Sequence, residues 1–162
     1  MQVGVGQYMQ FKTLAVSLLG LMWTIPALAE TTTFSPTKGV DVTLILEGSK
    51  LNIAVKSETQ SESRTIDFEA ENELHMQFDD FNFDGAKDFA IWQLDDGMGT
   101  YHYYRVFIYQ AKTGTFEELQ PDCGDGFVNL RVDKKRKALL STDWEMNIPK
   151  QCITRFTKRK PE

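Results

Sequence analysis

The fold of this chain is decided around the stretch Asp79-Asp80-Phe81-Asn82-Phe83-Asp84-Gly85-Ala86-Lys87-Asp88, which places four carboxylates within ten residues. Read from Asp80, its pattern is D-x-N-x-D-G-x-x-D. Side-chain oxygens recur at alternate positions, so a tight loop can turn them inward, and Gly85 reaches positive φ at little steric cost. Carboxylates that converge without a cation repel one another. The pattern therefore predicts an oxygen-lined cation site in a loop.

Alternating apolar residues lie on both sides of this loop. Leu74, Met76 and Phe78 lead into it, and Phe89 and Ile91 lead out of it. A period of two is the signature of a half-buried β-strand. The loop is therefore expected to connect two successive strands, whose ends a bound cation would hold together.

The oxygen-rich pattern favours Ca²⁺, a hard cation that is bound by many oxygen ligands at once. It departs from an EF-hand, because the twelfth loop position is Ile91 instead of a bidentate Glu and because strands flank it. The alternative is an Asx-rich β-turn that never holds metal.

With its continuation Phe89-Ala90-Ile91, the loop resembles the calcium loop of FG-GAP and VCBS-type β-propeller repeats. This resemblance implies that one residue, Ala86, offers its carbonyl oxygen to Ca²⁺. It also implies a set of side-chain ligands: Asp80, Asn82, Asp84 and Asp88.

The rest of the chain beyond the first 29 residues shows extended patterns and no helical spacing of apolar residues. Residues 40–46 and 51–55 alternate about a turn at 48–50 and predict a hairpin, whereas the polar segments 57–63 and 95–102 predict loops. We expect an all-β domain of about ten short strands in consecutive antiparallel order. The remaining predicted strands are 64–70, 103–110, 116–119, 127–132, 138–142 and 153–156.

The first 29 residues predict a signal peptide. Lys12 precedes an apolar run at 14–25, and Ala27-Leu28-Ala29 has the small-x-small pattern of a signal peptidase site. The run is too short to span a bilayer comfortably, so no stable membrane anchor is expected. We expect cleavage after Ala29 and a periplasmic or secreted protein. Met9 is a candidate start residue besides Met1.

The exported part is expected to contain an extended arm at residues 30–39 and one calcium-binding domain at 40–162. Its charge is uneven: residues 67–118 carry twelve acidic and three basic side chains, and residues 131–162 carry ten basic and four acidic ones. The acidic middle favours a cation or a basic partner. The basic run at 134–137 predicts a solvated hairpin turn, since no nucleic-acid-binding module accompanies it.

Cys123 and Cys152 are the only cysteines of the chain. Export places them in an oxidising compartment, which predicts a disulfide between them. Redox or metal chemistry is the alternative, but neither a C-x-x-C pair nor a nearby histidine supports it.

No catalytic pattern is present, so the chain is predicted not to be an enzyme. His75 and His102 lie far apart in sequence, and neither the nucleophile elbow nor the zinc-protease pattern occurs. Recognition by a loop remains, because an aromatic residue flanked by small adaptable ones suits insertion into a partner's cleft. The alternative is an ordinary hairpin loop. The candidate partner-binding loop comprises Gly97, Met98, Gly99, Thr100, Tyr101 and His102.

Five features together resemble one bacterial family: the export signal, the acidic loop with its continuation Phe89-Ala90-Ile91, the glycine-containing loop that follows, the strand Tyr104-Arg105-Val106-Phe107-Ile108-Tyr109 and the segment Lys112-Thr113-Gly114-Thr115-Phe116-Glu117. They are similar to the periplasmic I-type lysozyme-inhibitor-like proteins, which include immunity proteins that protect a cell from its own peptidoglycan hydrolases. The resemblance covers residues 64–143. It implies propeller-blade-like sheets, bound Ca²⁺ and a loop that plugs the active site of a hydrolase. The alternative function is a calcium-stabilised FG-GAP/VCBS-like interaction or adhesion module without an enzyme target.

Overall fold

The computed structural model describes residues 29–95 and 100–156, which form eleven β-strands. All strand pairs are antiparallel, so the all-β prediction is confirmed. Within the described residues no helix is long and apolar enough to cross a membrane. The strands are β1 (Glu30–Phe34), β2 (Val40–Glu47), β3 (Lys50–Ser57), β4 (Ser61–Asp67), β5 (His75–Asp79), β6 (Asp88–Asp95), β7 (Tyr101–Gln110), β8 (Thr115–Leu119), β9 (Phe127–Asp133), β10 (Ala138–Glu145) and β11 (Ile148–Arg155).

The first sheet contains four strands in the order β1-β2-β3-β4. Strands β2 and β3 form the predicted hairpin, with Glu47 opposite Lys50 next to the turn. Alternate residues of both strands are buried because period-two apolar positions all face one side of the sheet. This sheet therefore presents a continuous apolar face to the rest of the molecule.

The second sheet has the order β11-β10-β9-β7-β6-β5, and β8 also pairs with β7. Two strands, β8 and β9, pair with different parts of the same edge of the long strand β7. Its residues 103–104 pair with β9, and its residues 106–110 pair with β8. Within this sheet the predicted consecutive order therefore has one exception, since β9 does not pair with β8 but with the other half of the same edge of β7.

Two hydrophobic cores lie on opposite faces of the second sheet. The first core is between the sheets, where Phe89 stacks on Phe107 with ring centroids 4.9 Å apart. The second core is on the outer face and contains Val106, Ile108 and Phe81. Because both faces are covered in the middle of the sheet, the sequence there is continuously apolar instead of alternating.

Three segments are more regular than the sequence predicted. The expected arm at 30–39 is extended at Glu30–Phe34, but it pairs with β2 along its length and is part of the sheet. The predicted loop at 57–63 is wrong at residues 61–63, which belong to β4, and β11 begins at Ile148 instead of residue 153. Residues 61–65 and 148–151 are exposed and bury no apolar face, so they leave no hydrophobic signal in the sequence.

The predicted disulfide is confirmed. Cys123 in the connection after β8 is bonded to Cys152, with their Cα atoms 5.9 Å apart. The basic run at 134–137 is the exposed β9–β10 turn, as predicted. The predicted signal peptide, apart from Ala29, lies outside the described residues.

Candidate functional site

The acidic loop connects β5 to β6, as predicted, and is closed at its base by the pairing of Asp79 with Asp88. Phe81 is fully buried in the second core, and the ring of Phe83 meets that of Phe156 at 5.8 Å. The intervening Asp80, Asn82 and Asp84 are half-buried or exposed. One side of the loop is therefore apolar and packed, and the other carries the oxygen atoms.

The predicted ligands fix the backbone of their own loop. The two carboxylate oxygens of Asp80 accept hydrogen bonds from the amides of Asp84, at 3.0 Å, and Gly85, at 2.9 Å. Asp84 accepts the amide of Ala86 at 2.8 Å, and Asn82 accepts the amide of Asp84 at 3.0 Å. The hydrogen bonds accepted by Asn82 and Asp84 form two overlapping Asx turns, and Gly85 has the predicted positive φ, +94°.

Asp88 has a different role from the other loop residues. It is fully buried, and its oxygens accept the amides of Phe81 and Tyr109, both at 2.9 Å. Burial, together with the charges of Asp84 and Asp80, raises the pKa of Asp88 to about 7 against the opposing effect of these two hydrogen bonds. Asp88 therefore joins the loop to β7 at an electrostatic cost.

The local charges and donors fit a divalent cation. Lys134 pairs with Asp79 at 2.9 Å, but among the described residues no Lys or Arg forms an ion pair with Asp80, Asp84 or Asp88. A carboxylate oxygen that accepts one amide hydrogen keeps a second lone pair, so these hydrogen bonds are compatible with metal ligation. A bound cation would offset the mutual repulsion of the three carboxylates.

The described side chains do not, however, converge as a ready metal centre. Over residues 29–95 and 100–156, no group of three or more His, Cys, Asp or Glu residues is arranged so that it could hold a metal ion. The predicted set also draws on the Asn82 side chain and the Ala86 carbonyl. Calcium binding thus stays a prediction that rests on donor chemistry and uncompensated charge.

The candidate partner-binding loop is only partly described, since Gly97, Met98 and Gly99 lie outside the described residues. Thr100 is exposed, whereas Tyr101 and His102 are half-buried and belong to β7 instead of a loop. Their pairing with Asp95 and Leu94 extends the β6–β7 hairpin, and sequence patterning did not reveal this extension.

Long-range contacts hold the base of this hairpin loop. The ring of Tyr101 meets that of Trp144 edge-on at 4.9 Å, and the ring of His102 lies 4.9 Å from that of Trp92. The amide of His102 donates to Oδ1 of Asn129, at 3.1 Å. Asn129 has a positive φ, +52°, in strand β9. Tyr101 and His102, which were predicted to lie in the loop, are therefore anchored in strand β7.

A row of rings crosses three strands next to this loop. His75 of β5 stacks on Trp92 of β6 at 4.3 Å, and Tyr104 of β7 follows at 5.9 Å. None of these three residues is assigned to a site by the sequence patterns. Strand register would have revealed the row, because His75 lies opposite Trp92 and Trp92 lies opposite Tyr104.

A groove of about 880 Å³ lies on the other side of the β6–β7 hairpin, under the β4–β5 connection. The guanidinium of its one described cation, Arg105, is held by both oxygens of Glu118, at 2.7 and 2.6 Å, and lies 4.6 Å from the centre of the Phe68 ring. The groove is therefore acidic overall. Its carboxylates are Asp67, Glu69, Glu71 and Asp95.

Comparisons with known proteins identify no matching family model, no similar curated protein and no similar solved structure.

Proposed function

We propose that this protein is an exported, calcium-binding inhibitor or immunity protein of a lysozyme-like peptidoglycan hydrolase. In this proposal the loop at residues 97–102 enters the active-site cleft of the hydrolase. The proposal unites the sequence resemblance with the local geometry of the β6–β7 hairpin.

The observation that carries the proposal is the anchored base of the loop. Tyr101 is held against Trp144 and His102 against Trp92, so the residues that flank the small segment 97–99 are already ordered. Ordering a loop before association reduces the entropy cost of binding. A short, firmly based projection is suited to insertion into an enzyme cleft.

The acidic groove supports a basic partner. It adjoins the loop through Asp95, the last residue of β6, and its only described cation is already paired with Glu118. Many lysozymes are strongly basic. Opposite charge accelerates the encounter of two proteins and orients them before contact.

Calcium is proposed to stabilise the scaffold that presents the loop. The ion would be held by Asp80, Asn82, Asp84, Asp88 and the Ala86 carbonyl, and its positive charge would offset the repulsion that Asp84 and Asp80 exert on Asp88. Its role would be structural, since β6 runs directly from the acidic loop to the β6–β7 loop. No catalytic step is assigned to it.

The inhibitor proposal is tested by titrating the exported chain into lysis assays with chicken-type, goose-type and invertebrate-type lysozymes. We expect stoichiometric loss of activity for at least one of them. Tyr101→Ala should weaken this inhibition, whereas Tyr101→Phe, which keeps the ring against Trp144, should retain most of it. No inhibition across the panel would contradict the proposal and favour the interaction or adhesion module.

The calcium proposal is tested separately, by thermal unfolding and metal analysis. Added Ca²⁺ should raise the Tm of EDTA-treated protein, because a ligand that binds only the folded state stabilises it. Asp84→Ala should abolish this increase. Asp79→Ala is the matched control, since Asp79 pairs with Lys134 and is not a predicted ligand. Absence of bound metal together with an unchanged Tm would contradict the proposal.

A further inference from the structure

The turn between β10 and β11 exposes apolar side chains to an unusual degree. Among the described residues only three large hydrophobic side chains are exposed: Met146 at 91%, Ile148 at 61% and Leu94 at 37%. Single exposed apolar residues are ordinary on a protein surface. Here two of the three occupy the same four-residue hairpin tip, which is residues 145–148.

Backbone conformation also disfavours methionine at this tip. Met146 and Asn147 both have positive φ, +52° and +65°. Two-residue hairpin turns with two positive φ values prefer Asn-Gly, because a Cβ atom is strained in the left-handed region. Packing of the Met146 side chain does little to offset this backbone strain, because the side chain is almost fully exposed. A residue that violates two local preferences at once indicates a role outside folding.

The tip lies at the same end of the second sheet as the candidate loop. Trp144, two residues before Met146, contacts the ring of Tyr101 at 4.9 Å. Tyr101 is paired with Asp95, and Leu94 is paired with the neighbouring His102. The hairpin tip therefore adjoins the described end of the candidate loop, through the contact between Trp144 and Tyr101.

The charge at the tip is balanced, unlike that of the acidic groove. Glu145 and Lys150 form an ion pair beside the turn. Apart from this pair and the polar Asn147, the side chains that the tip exposes are the apolar Met146 and Ile148. A flexible, polarisable methionine adapts to an irregular apolar surface.

We propose that Met146 and Ile148 form a second contact element, which docks on an apolar rim of the same hydrolase cleft that receives the loop at 97–102. This inference rests on the proposed function and names a further part of the same interface. The contact between Tyr101 and Trp144 joins the tip to the base of the candidate loop. It therefore favours the hydrolase that receives the loop over an unrelated ligand as the partner of the tip.

The test uses the double variant Met146→Asn/Asn147→Gly, which installs the preferred Asn-Gly turn and removes the apolar tip. Its Tm should equal or exceed that of the wild type. Its inhibition constant towards a lysozyme that the wild type inhibits should rise by about tenfold or more. Ile148→Thr, which retains β-propensity, should weaken inhibition in the same direction.

Lys137→Gly is the matched control. Lys137 also has a positive φ, +48°, but it lies in the β9–β10 turn, at the other end of strand β10. Relief of backbone strain there should leave inhibition unchanged. The control separates the effect of relieved backbone strain on inhibition from the effect of the lost apolar contact.

Each outcome is decisive. If the wild type inhibits no lysozyme in the panel, both the proposed function and this inference are overturned. If the wild type inhibits and the folded double variant inhibits equally well, only the inference is overturned. Light scattering that shows a wild-type dimer and a monomeric variant of equal inhibitory strength would instead assign the tip to a second copy of the chain.

Discussion

Asp88 joins two parts of the molecule through one buried carboxylate. Its oxygens accept the amides of Phe81, in the loop, and of Tyr109, in β7. A buried amide that loses its acceptor costs on the order of 1–3 kcal/mol. Asp88 therefore contributes to the fold whether or not it also ligates a cation.

The raised pKa of Asp88 predicts an unusual pH dependence of stability in the absence of divalent cations. Burial, with the charges of Asp84 and Asp80, raises this pKa from 3.8 to about 7. Between these values the folded state keeps a proton that the unfolded state has lost. Asp88 should therefore make its largest contribution to stability below about pH 4, and this contribution should be lost as the pH rises towards 7. Urea unfolding in EDTA over this range would measure the change.

The control for this prediction is Asp88→Asn, which cannot titrate. The other carboxylates are common to both proteins, so the free energy of unfolding of the wild type minus that of the variant isolates the contribution of Asp88. This difference should fall by on the order of 3 kcal/mol between pH 4 and pH 7, and added Ca²⁺ should reduce the fall. A difference that is constant with pH would contradict the assignment.

At the scale of single residues, sequence predicted what is local. The turn at Gly85 and the alternation of oxygen-bearing residues follow from the pattern itself. The second hydrogen bond of Asp88 does not, because its donor at Tyr109 is 21 residues away. The ring contacts of Tyr101 and His102 were missed for the same reason.

Among the elements, the connection between β8 and β9 is fastened to the edge strand β11. The disulfide joins Cys123 to Cys152, and the hydroxyl of Thr154 accepts the amide of Asp122 at 3.0 Å. Strand β11 pairs with β10 alone and is exposed over its first four residues. The disulfide therefore helps to keep edge strand β11 on the sheet, where little apolar burial would hold it.

Removal of this disulfide should be costly. We expect Cys123→Ala/Cys152→Ala to lower the free energy of unfolding by roughly 3–4 kcal/mol, because the cross-link restricts a long loop in the unfolded chain. Urea denaturation would measure the loss. Wild-type protein unfolded with a reductant present should show a similar loss, and a variant as stable as the oxidised wild type would contradict the prediction.

Sequence predicted the elements whose apolar residues alternate and missed those without such a pattern. Strands β2 and β3 alternate clearly and were found. The beginnings of β4 and β11 are exposed, and β1 contributes one ring, Phe34, to the first core, so no hydrophobic period marks these segments. Strand β9 pairs with β7 because β8 leaves part of the same edge of β7 free. The apolar pattern of each strand does not contain this information.

For the molecule as a whole, the acidic groove predicts salt-dependent association with a basic hydrolase. Neutralising Asp67, Glu69 and Glu71 to their amides should slow association several-fold at low salt, and the difference should shrink at high salt. The Tm should change little, since all three residues are exposed. Stopped-flow measurement of association rates would test this.

The matched control neutralises Glu47, Glu58 and Glu62, which are exposed and do not line the groove. It should leave the association rate nearly unchanged at low salt. Equal slowing by both sets of substitutions would assign the effect to net charge instead of to the groove.

At this scale the sequence predicted the fold class but not the arrangement of layers. Period-two patterning identifies strands and does not say that they divide into sheets of four and seven. The only indication of the groove in the sequence was the acidic composition of residues 67–118. Its walls come from the β4–β5 connection and from β6 and β7, which approach one another only in the folded chain.

The phenylalanines of the acidic loop link its two sides mechanically. Since Phe81 and Phe83 alternate with the oxygen-bearing residues, a shift of the loop backbone must move rings inside the second core, and Phe83 passes that movement to Phe156. A fluorine label on Phe156 would therefore report the proposed Ca²⁺ binding through its NMR signal. None of the predicted Ca²⁺ ligands would have to be changed.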